Sequence, residues 1–473
     1  MKFLLTMFVA VSLPLAAQMK VGPGSDMLIL TNVNVIDTRN GLTQPNLTLV
    51  IKNGLIQAVA KVGIIDSRKT RVINADGKYV IPGLWDMHAH TAGGSAKPWD
   101  EKVIFPLYIA NGTTGIRDMG GDPNILEQRR RQVESGEVLG PHMAIAGPFL
   151  NRGNSDTQTI GVNTPAEARA AVDSVKSRGL DFVKVLSLEP DIYKALAEEA
   201  TRQHIRFVGH VPIGVSAFDA AKMGQGSIEH LSGVLLASSS QEAELRQEML
   251  AAIEKKDWSG YSQLQTRMLD TFSADKARQL FSTFVDNCTW QVPTLVWDVA
   301  QDSVDNPALA QDARMKYVPA SIAKTWDPAK MAQEAGAAQL EQSKKITAQY
   351  MRMIDVMRRA GVMMMAGSDG PDPFVFPGFS LHEELQLLVK VGLRPAQALQ
   401  AATFYPALFL TKLNQYGVVE VGHVADLVVL DDDPLKDISN TKKISAVIVR
   451  GRYFGREDLD KMLEHAAEIA KTQ

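Results

Sequence analysis

Two histidines separated by a single residue are the part of the sequence whose chemistry is easiest to interpret. They close the apolar stretch Val80-Ile-Pro-Gly-Leu-Trp-Asp-Met-His88-Ala-His90. Because side chains alternate along a β-strand, residues 88 and 90 leave the strand on the same face. An isolated pair of this kind is more often structural than functional, but two imidazoles on one face also suit a metal ion.

Three further β-type runs end on a side chain that can bind a metal ion. They are Ile205–His210, Ser227–His230 and Val362–Asp369. In a parallel barrel the carboxyl ends of the strands meet at one mouth, so residues far apart in sequence become neighbours. Imidazole and carboxylate ligands together favour zinc or a similar divalent ion. The predicted members of this single site are His88, His90, His210, His230 and Asp369.

A lysine, Lys184, lies inside the apolar run Asp181–Ser187. A charged amine in a strand that faces protein on both sides is costly unless it is paired or modified. An ion pair with a neighbouring carboxylate is the default explanation for one buried lysine. Next to a group of histidines, a second explanation is a lysine carboxylated on its amine, whose carbamate anion can bridge two metal ions.

The elements that must position these residues are alternating strands and helices in the central part of the chain. Eight such units predict an α/β fold, a (β/α)8 TIM barrel of about 250 residues or more. Long stretches rich in Ala, Gln, Lys, Glu and Met, 237–287 and 304–360, are predicted as helical insertions that can cover the mouth or form a contact in a homo-oligomer. The predicted strands are 79–90, 115–119, 142–150, 181–187, 205–211, 227–231, 289–297 and 362–369.

Both ends of the chain carry signals for short strands. An Asn53-Gly54 turn between two apolar runs predicts a hairpin. A matching set of strands returns after residue 417, so the simplest arrangement is a small β-sandwich domain built from both chain ends. The predicted domains are 18–79 with 412–473 for the sandwich and its C-terminal helix, and 80–411 for the barrel.

Composition limits the classes of function. The chain has 473 residues, 45% hydrophobic and 22% charged, with a net charge of -3. These values are typical of a soluble globular protein, and they give no reason to expect nucleic acid or an anionic membrane as a partner. The single cysteine, Cys288, is interpreted as a buried small residue rather than a nucleophile.

Residues 1–17 combine a basic start, a short apolar run and small residues before Gln18. This pattern predicts a secretory signal peptide cleaved after Ala17, and therefore a periplasmic or secreted protein with no integral membrane segment in the mature chain. The alternative for these residues is an uncleaved membrane anchor.

The ordered set of motifs resembles the amidohydrolase superfamily over nearly the whole mature chain. The resemblance rests on the strand Pro82–His90, the Lys184 strand, His210, His230, the ending Gly367-Ser-Asp369 and the tail Gly417–Asp431. Three segments resemble more closely the imidazolonepropionase-like and prolidase-like branch: Gly112–Gly120, Ser227–His230 and Leu381–Leu385.

This resemblance implies a metal-dependent hydrolase with two divalent ions, expected to be Zn²⁺. Two divalent ions acidify a bridging water until hydroxide is present near neutral pH, and one of them polarises the substrate carbonyl. Asp369 can then take the proton of the hydroxide and pass it to the leaving nitrogen. The implied ligands are His88 and His90 for the first ion, a carbamate on Lys184 between the two, His210 and His230 for the second, and Asp369 beside the first.

The same resemblance separates two kinds of reaction. Relatives that deaminate ring systems carry a glutamate three residues after the strand-five histidine, whereas this chain has Ile213 there. The expected function is therefore hydrolysis of an amide or peptide bond in a small molecule, a dipeptide or an N-acyl amino acid. A cyclic-amide hydrolase of the imidazolonepropionase kind and a non-catalytic binding protein on the same barrel are the alternatives. The complete ligand set disfavours the non-catalytic binding protein, because such a protein has no need of a costly buried lysine.

Substrate contacts are not identified by the sequence. Arg117, at the end of a predicted strand, can bind a substrate carboxylate or form a structural ion pair with Asp86 or Asp118. Trp290 is interpreted as a packing residue, and His382 as a residue that lines the mouth or caps a helix.

Overall fold

The computed structural model describes residues 27–61, 70–96 and 98–473. The predicted signal peptide, residues 1–17, lies outside these ranges. None of the helices in the described part of the chain combines the length and the apolar content needed to cross a membrane.

The described residues form seventeen strands and seventeen α-helices. The strands are β1 (Met27–Asp37), β2 (Leu42–Lys52), β3 (Leu55–Ala60), β4 (Arg71–Asn74), β5 (Tyr79–Pro82), β6 (Leu84–Ala89), β7 (Thr113–Asp118), β8 (His142–Ile145), β9 (Phe149–Asn151), β10 (Thr159–Gly161), β11 (Phe182–Ser187), β12 (Arg206–Gly209), β13 (Ser227–Glu229), β14 (Trp290–Val292), β15 (Leu427–Leu430), β16 (Ile444–Val449) and β17 (Arg452–Gly455). The helices are α1 (Glu101–Ala110), α2 (Pro123–Ser135), α3 (Pro165–Ser177), α4 (Pro190–Arg202), α5 (Ala217–Lys222), α6 (Val234–Ala237), α7 (Glu242–Glu254), α8 (Trp258–Asp270), α9 (Ala274–Asp286), α10 (Leu295–Asp302), α11 (Ala320–Ala323), α12 (Pro328–Ala335), α13 (Ala337–Ala360), α14 (Phe379–Lys390), α15 (Pro395–Ala401), α16 (Phe404–Phe409) and α17 (Arg456–Ala470).

Strands from the two ends of the chain share one eight-stranded sheet. Its order is β17-β16-β15-β5-β1-β2-β3, with β4 paired to β1. The predicted hairpin is present between β2 and β3, and Asn53 and Gly54 take positive φ values of 54° and 76° in its turn. Apolar side chains from both ends of the chain, among them Leu30, Leu49 and Leu427, form one buried cluster. The pairing describes a single sheet, and a two-layered sandwich stays a prediction.

The predicted strand 79–90 is wrong as a single strand. Its first part, β5, pairs with β15 in the terminal sheet, whereas its second part, β6, pairs in parallel with β7. Gly83 lies between them, and a Cβ on it would lie 1.9 Å from the Thr114 hydroxyl oxygen, so a residue with a side chain would force Thr114 to move. The chain therefore passes from one sheet to the other inside a continuous apolar run, and the predicted domain boundary at residue 80 falls within β5.

The central strands form parallel sheets, as predicted. β6, β7 and β8 make a three-stranded sheet, and a six-stranded sheet has the order β10-β9-β11-β12-β13-β14. The predicted strand 142–150 is divided between the two sheets as β8 and β9. A backbone hydrogen bond of 3.0 Å from Asp181 N to Ile145 O joins the start of β11 to the end of β8.

The predicted eighth strand, 362–369, is not a regular strand. It makes an isolated parallel bridge between Met364 and Gln291 of β14, and on its other side Met87 of β6 donates its N–H to Ala366 O at 2.9 Å. The segment therefore lies between β14 and β6. These links follow the strand order of a barrel, while closure of a (β/α)8 barrel stays a prediction.

Both predicted insertions are helical. The segment 237–287 contains α7, α8 and α9, and the segment 304–360 contains α11, α12 and the 24-residue α13. The interpretation of Cys288 as buried is wrong. It follows α9 in a left-handed conformation, with φ of 53°, and its side chain is exposed.

Candidate metal centre and active site

Five of the six predicted ligands lie within or directly after parallel strands. His88 is in β6 and Lys184 in β11, while His210 and His230 directly follow β12 and β13. Asp369 closes the segment that lies between β14 and β6. The carboxyl ends of these strands bring the side chains together, as expected of parallel strands that share one mouth.

Three of these residues form the tightest group. The Nε2 atoms of His88 and His90 each lie 3.3 Å from Asp369 Oδ1. One potential ligand atom from each of the three residues lies within 4.8 Å of the others. Two imidazoles and a carboxylate at this spacing can be ligands of one divalent ion.

The two single histidines lie directly beside this group. His230 Nε2 is 3.6 Å from Asp369 Oδ2, and its ring centroid is 4.5 Å from that of His88. The ring of His210 in turn lies 5.2 Å from that of His230. The two oxygens of Asp369 therefore face different histidines, with His88 and His90 on one side and His230 on the other.

Each of three histidines has a hydrogen-bond partner at Nδ1. The partners are Glu229 Oε2 for His88 at 3.0 Å, Gly120 O for His90 at 3.0 Å and Thr294 Oγ1 for His230 at 2.7 Å. The first two partners can only accept, and the Thr294 hydroxyl donates its own hydrogen to Pro293 O, so it accepts from His230. We infer that Nδ1 carries the proton and that Nε2 presents its lone pair to the site, as in most metal-binding histidines.

Lys184 is 1% exposed and belongs to the same site. Its charge acts on Glu229 and Asp369. Among the described residues no carboxylate lies within ion-pair distance of it, although the charges of Glu229 and Asp369 favour its charged form. Pairing with a carboxylate and carboxylation of the amine therefore both stay predictions. Burial lowers the pKa of Lys184 to about 8, against the opposing effect of the two carboxylates. A substantial fraction of the amine is therefore neutral in mildly alkaline solution.

Arg117 and Glu229 form a fully buried ion pair that the sequence did not reveal. Arg117 Nη2 lies 2.9 and 2.8 Å from the two carboxylate oxygens of Glu229, and Arg117 Nε donates to Met87 O at 2.6 Å. Ser227 Oγ donates to Glu229 Oε1 at 2.5 Å. Arg117 is therefore neither exposed for substrate binding nor paired with Asp86 or Asp118, the two partners considered from the sequence. It holds the carboxylate that orients His88.

The protonation states of the site follow from burial and from these partners. Burial lowers the pKa of His88 to about 3, and burial also lowers the pKa of His210 and of His230. Burial raises the pKa of Asp369, but the neighbouring histidines oppose this and hold it well below its ordinary value. Burial lowers the pKa of His90 too, but the hydrogen bond and charge of Asp369 outweigh burial and raise it above its ordinary value. Neutral imidazoles beside an ionised carboxylate are the forms that bind a divalent ion, so His88, His210 and His230 are ready to bind, whereas His90 must lose any proton it carries when the ion binds.

Burial also raises the pKa of Glu229, but Arg117 and His88 hold it well below its ordinary value. The carboxylate is therefore ionised and accepts a hydrogen bond from His88. An acceptor of this kind fixes both the orientation and the tautomer of a metal-binding imidazole.

Several backbone positions of the site are in the left-handed region. His230, Thr294 and Asp369 have φ values of 57°, 51° and 62°. Such conformations cost of order 1 to 3 kcal/mol each for residues other than glycine, and they persist where the surrounding structure fixes them. Here Asp369 N donates to His88 O at 2.7 Å and His230 N donates to Val292 O at 3.0 Å. These two hydrogen bonds help to fix the backbone at two of the positions that aim predicted ligands.

The family model described as "Amidohydrolase family" matches residues 79–453, and the chain belongs to this family. The protein is thus a hydrolase of carbon–nitrogen bonds. Ochratoxinase from Aspergillus niger is 22% identical over 464 residues, which cover 85% of this chain and 81% of that protein. A dihydroorotase from Trichlorobacter lovleyi is 41% identical over only 63 residues, 13% of this chain and 14% of that protein.

Among solved structures, that of a Xaa-Pro dipeptidase with bound methionine in the active site is similar in fold. The TM-score is 0.66 at 18% sequence identity, and the match covers 91% of this chain and 100% of that chain. Its TIM-barrel-type amidohydrolase fold agrees with the parallel strands described above.

Proposed function

We propose that the protein is an exported amidohydrolase with two metal ions, which hydrolyses the amide or peptide bond of a small substrate, a dipeptide or an N-acyl amino acid. The observation that carries the proposal is the position of Asp369, one oxygen of which faces His88 and His90 while the other faces His230. The substrate class is supported by the similarity to a Xaa-Pro dipeptidase. Export is proposed from the pattern of residues 1–17.

The residues of the site fit the divalent ions on which this family generally depends. Three ligand atoms lie within 4.8 Å of one another, and the Nδ1 partners of three histidines leave Nε2 free to bind. Two bound ions would lower the pKa of a water molecule and polarise the substrate carbonyl. The proposed ligands are His88, His90 and Asp369 for one ion, His210 and His230 for the other, and a carbamate on Lys184 between them.

The carbamate proposal rests on the surroundings of Lys184. The neutral amine can add to carbon dioxide, forming a nitrogen–carbon bond and releasing one proton. The product is an anion, and it would lie among ligands of two cations, where an anion is stabilised. An unmodified, charged lysine at this position would instead repel the same cations.

Asp369 is the proposed proton carrier. It is ionised, and its side chain is 17% exposed, so it is accessible from the mouth. It can accept a proton as the nucleophile attacks and deliver that proton to the nitrogen of the leaving amine as the intermediate collapses. Glu229 and Arg117 act indirectly, by holding His88.

Hydrolysis by the metal-loaded protein tests this function. We expect release of free amino acid from a mixed panel of dipeptides and N-acyl amino acids, and loss of that activity in His88→Ala. His465→Ala, which changes a 68% exposed side chain, is the matched control and should keep full activity. Activity restricted to cyclic amides would favour the imidazolonepropionase-like alternative, and absence of any hydrolysis would favour a binding protein.

A further inference from the structure

A second carboxylate, Asp372, lies at the rim of the site. Its Oδ1 accepts a hydrogen bond of 2.7 Å from Ser95 Oγ, and its Oδ2 accepts one of 2.6 Å from Trp297 Nε1. Ser95 belongs to the short 3₁₀ turn after β6, and Trp297 belongs to α10 after β14. Asp372 therefore joins three segments that follow the carboxyl ends of neighbouring strands, which is where substrate reaches a site of this kind.

Asp372 stands close to the predicted ligands without belonging to their tightest group. The ring of Trp297, its hydrogen-bond donor, lies 6.3 Å from the ring of His230. The charges of Asp369 and His90 both act on it. Its side chain is partly buried, so a ligand in the mouth can reach it while water is partly excluded.

Among the described residues no lysine or arginine forms an ion pair with Asp372. The opposing charge that acts on it is that of His90, and this charge is lost when the His90 imidazole binds a metal ion as a neutral ligand. Both side-chain partners of Asp372 are neutral donors, an indole N–H and a hydroxyl. The neighbouring Asp369 carries a charge of the same sign. A carboxylate has about four acceptor positions, of which these donors occupy two. A partly buried anion with free acceptor positions beside a second anion is a favourable place for an incoming cation.

We propose that Asp372 binds a cationic amine of the substrate and thereby selects dipeptides with a free α-amino group over N-acyl amino acids. This inference rests on the proposed function and deepens it. In a dipeptide the α-ammonium group is two bonds from the scissile carbonyl carbon, so a substrate held at the metal site carries its positive charge close to this rim. An N-acyl amino acid has no such charge.

The opposing explanation is that Asp372 only ties the three segments together. The two explanations differ in which substrates respond. Loss of the hydrogen bonds that join the three segments would disturb the whole mouth and slow the hydrolysis of all substrates alike. Loss of the charge would weaken the binding only of substrates with an amine. Asp372→Asn separates the two effects, because asparagine can still accept from Trp297 and can donate to Ser95 Oγ while it carries no charge.

The experiment compares a dipeptide with the same dipeptide acetylated on its amine. For the wild-type protein we expect kcat/KM to favour the free dipeptide by about 10- to 100-fold, the range of a hydrogen bond to a charged group. In Asp372→Asn we expect most of this preference to disappear through a higher KM for the free dipeptide, with little change for the acetylated one. Ser95→Ala and Trp297→Phe, which each remove one hydrogen bond and keep the charge, should retain the preference.

The outcomes separate this inference from the proposed function. Equal hydrolysis of both substrates by the wild-type protein would overturn the role of Asp372 and leave the amidohydrolase function intact, and this comparison needs no variant to fold. An equal loss of kcat/KM for both substrates in Asp372→Asn would also overturn it. This result would show that Asp372 acts only by joining the three segments. Hydrolysis of neither substrate, nor of any N-acyl amino acid, would overturn the proposed function together with this inference.

Discussion

Replacing Asp369 by asparagine is expected to lower kcat by roughly 100- to 10,000-fold, the range of general acid–base catalysis, while the protein still binds metal. Asparagine keeps the shape of the side chain and one oxygen toward the histidines that lie 3.3 Å away. It cannot accept a proton at the carboxyl position and return it to the leaving nitrogen. Steady-state kinetics on one substrate, together with elemental analysis of the same samples, measures both properties.

The control for this variant is Asp432→Asn, which changes an exposed carboxylate paired with Lys443 and should leave kcat unchanged. Unchanged turnover in Asp369→Asn would remove Asp369 from proton transfer. A loss of activity that follows a loss of metal would show that Asp369 acts chiefly as a ligand.

Replacing Lys184 by methionine is expected to lower activity at least about 100-fold and to reduce the number of tightly bound metal ions, because the bridging anion is lost. Methionine has a similar length and suits a position that is 1% exposed. Burial outweighs the attraction of Glu229 and Asp369 and lowers the pKa of Lys184, so the position disfavours the charged amine and its removal relieves a net cost. The metal-free variant should therefore unfold at the same temperature as the metal-free wild-type protein, or higher.

Lys194→Met, at a 67% exposed position of α4, is the matched control and should preserve metal content and activity. Elemental analysis after purification with bicarbonate and without chelator gives the metal content, and thermal unfolding gives the stability. A Lys184→Met protein that holds two tightly bound ions would rule out the bridging carbamate.

The shared location of the proposed ligand residues could be predicted because each one has a local signal, while their role as ligands stays a prediction. His88, His90, His210, His230 and Asp369 all close short apolar runs, and the geometry of parallel strands brings the ends of such runs together. Lys184 was predicted in the same way, because a lysine inside an apolar strand must be buried. The structure brings the imidazole and carboxylate groups together and buries the lysine among them.

The ion pair of Glu229 with Arg117, which orients the His88 imidazole, could not be predicted, because it depends on contacts between distant strands. Glu229 and Arg117 are 112 residues apart, and the sequence offered Asp86 or Asp118 as the partner instead. Asp86 accepts hydrogen bonds from Ser368, and Asp118 accepts from Thr91 and Gly120. The one available signal was the rule that a buried charge needs a partner, and this rule does not name the partner.

The division of the predicted strand 79–90 was also hidden from the sequence. Residues 79 to 84 form one apolar run, because β5 and β6 are both buried, and a buried run gives no indication of which sheet it joins. Gly83, where the chain passes from one sheet to the other, is a local signal of this change of sheet. It can be recognised as such only when the position of Thr114 is known. The exposure of Cys288 was missed for a similar reason, since its left-handed turn directs it outward despite the apolar residues that follow.

A metal titration of the chelator-treated protein, followed by the rate of amide hydrolysis, would establish whether the site works with two metal ions. We predict no activity without metal and a rise that reaches its maximum at two equivalents of Zn²⁺ per chain, as two adjacent sets of ligands require. A maximum at one equivalent would contradict the binuclear centre. Full activity of the metal-free protein would contradict the whole account of the site.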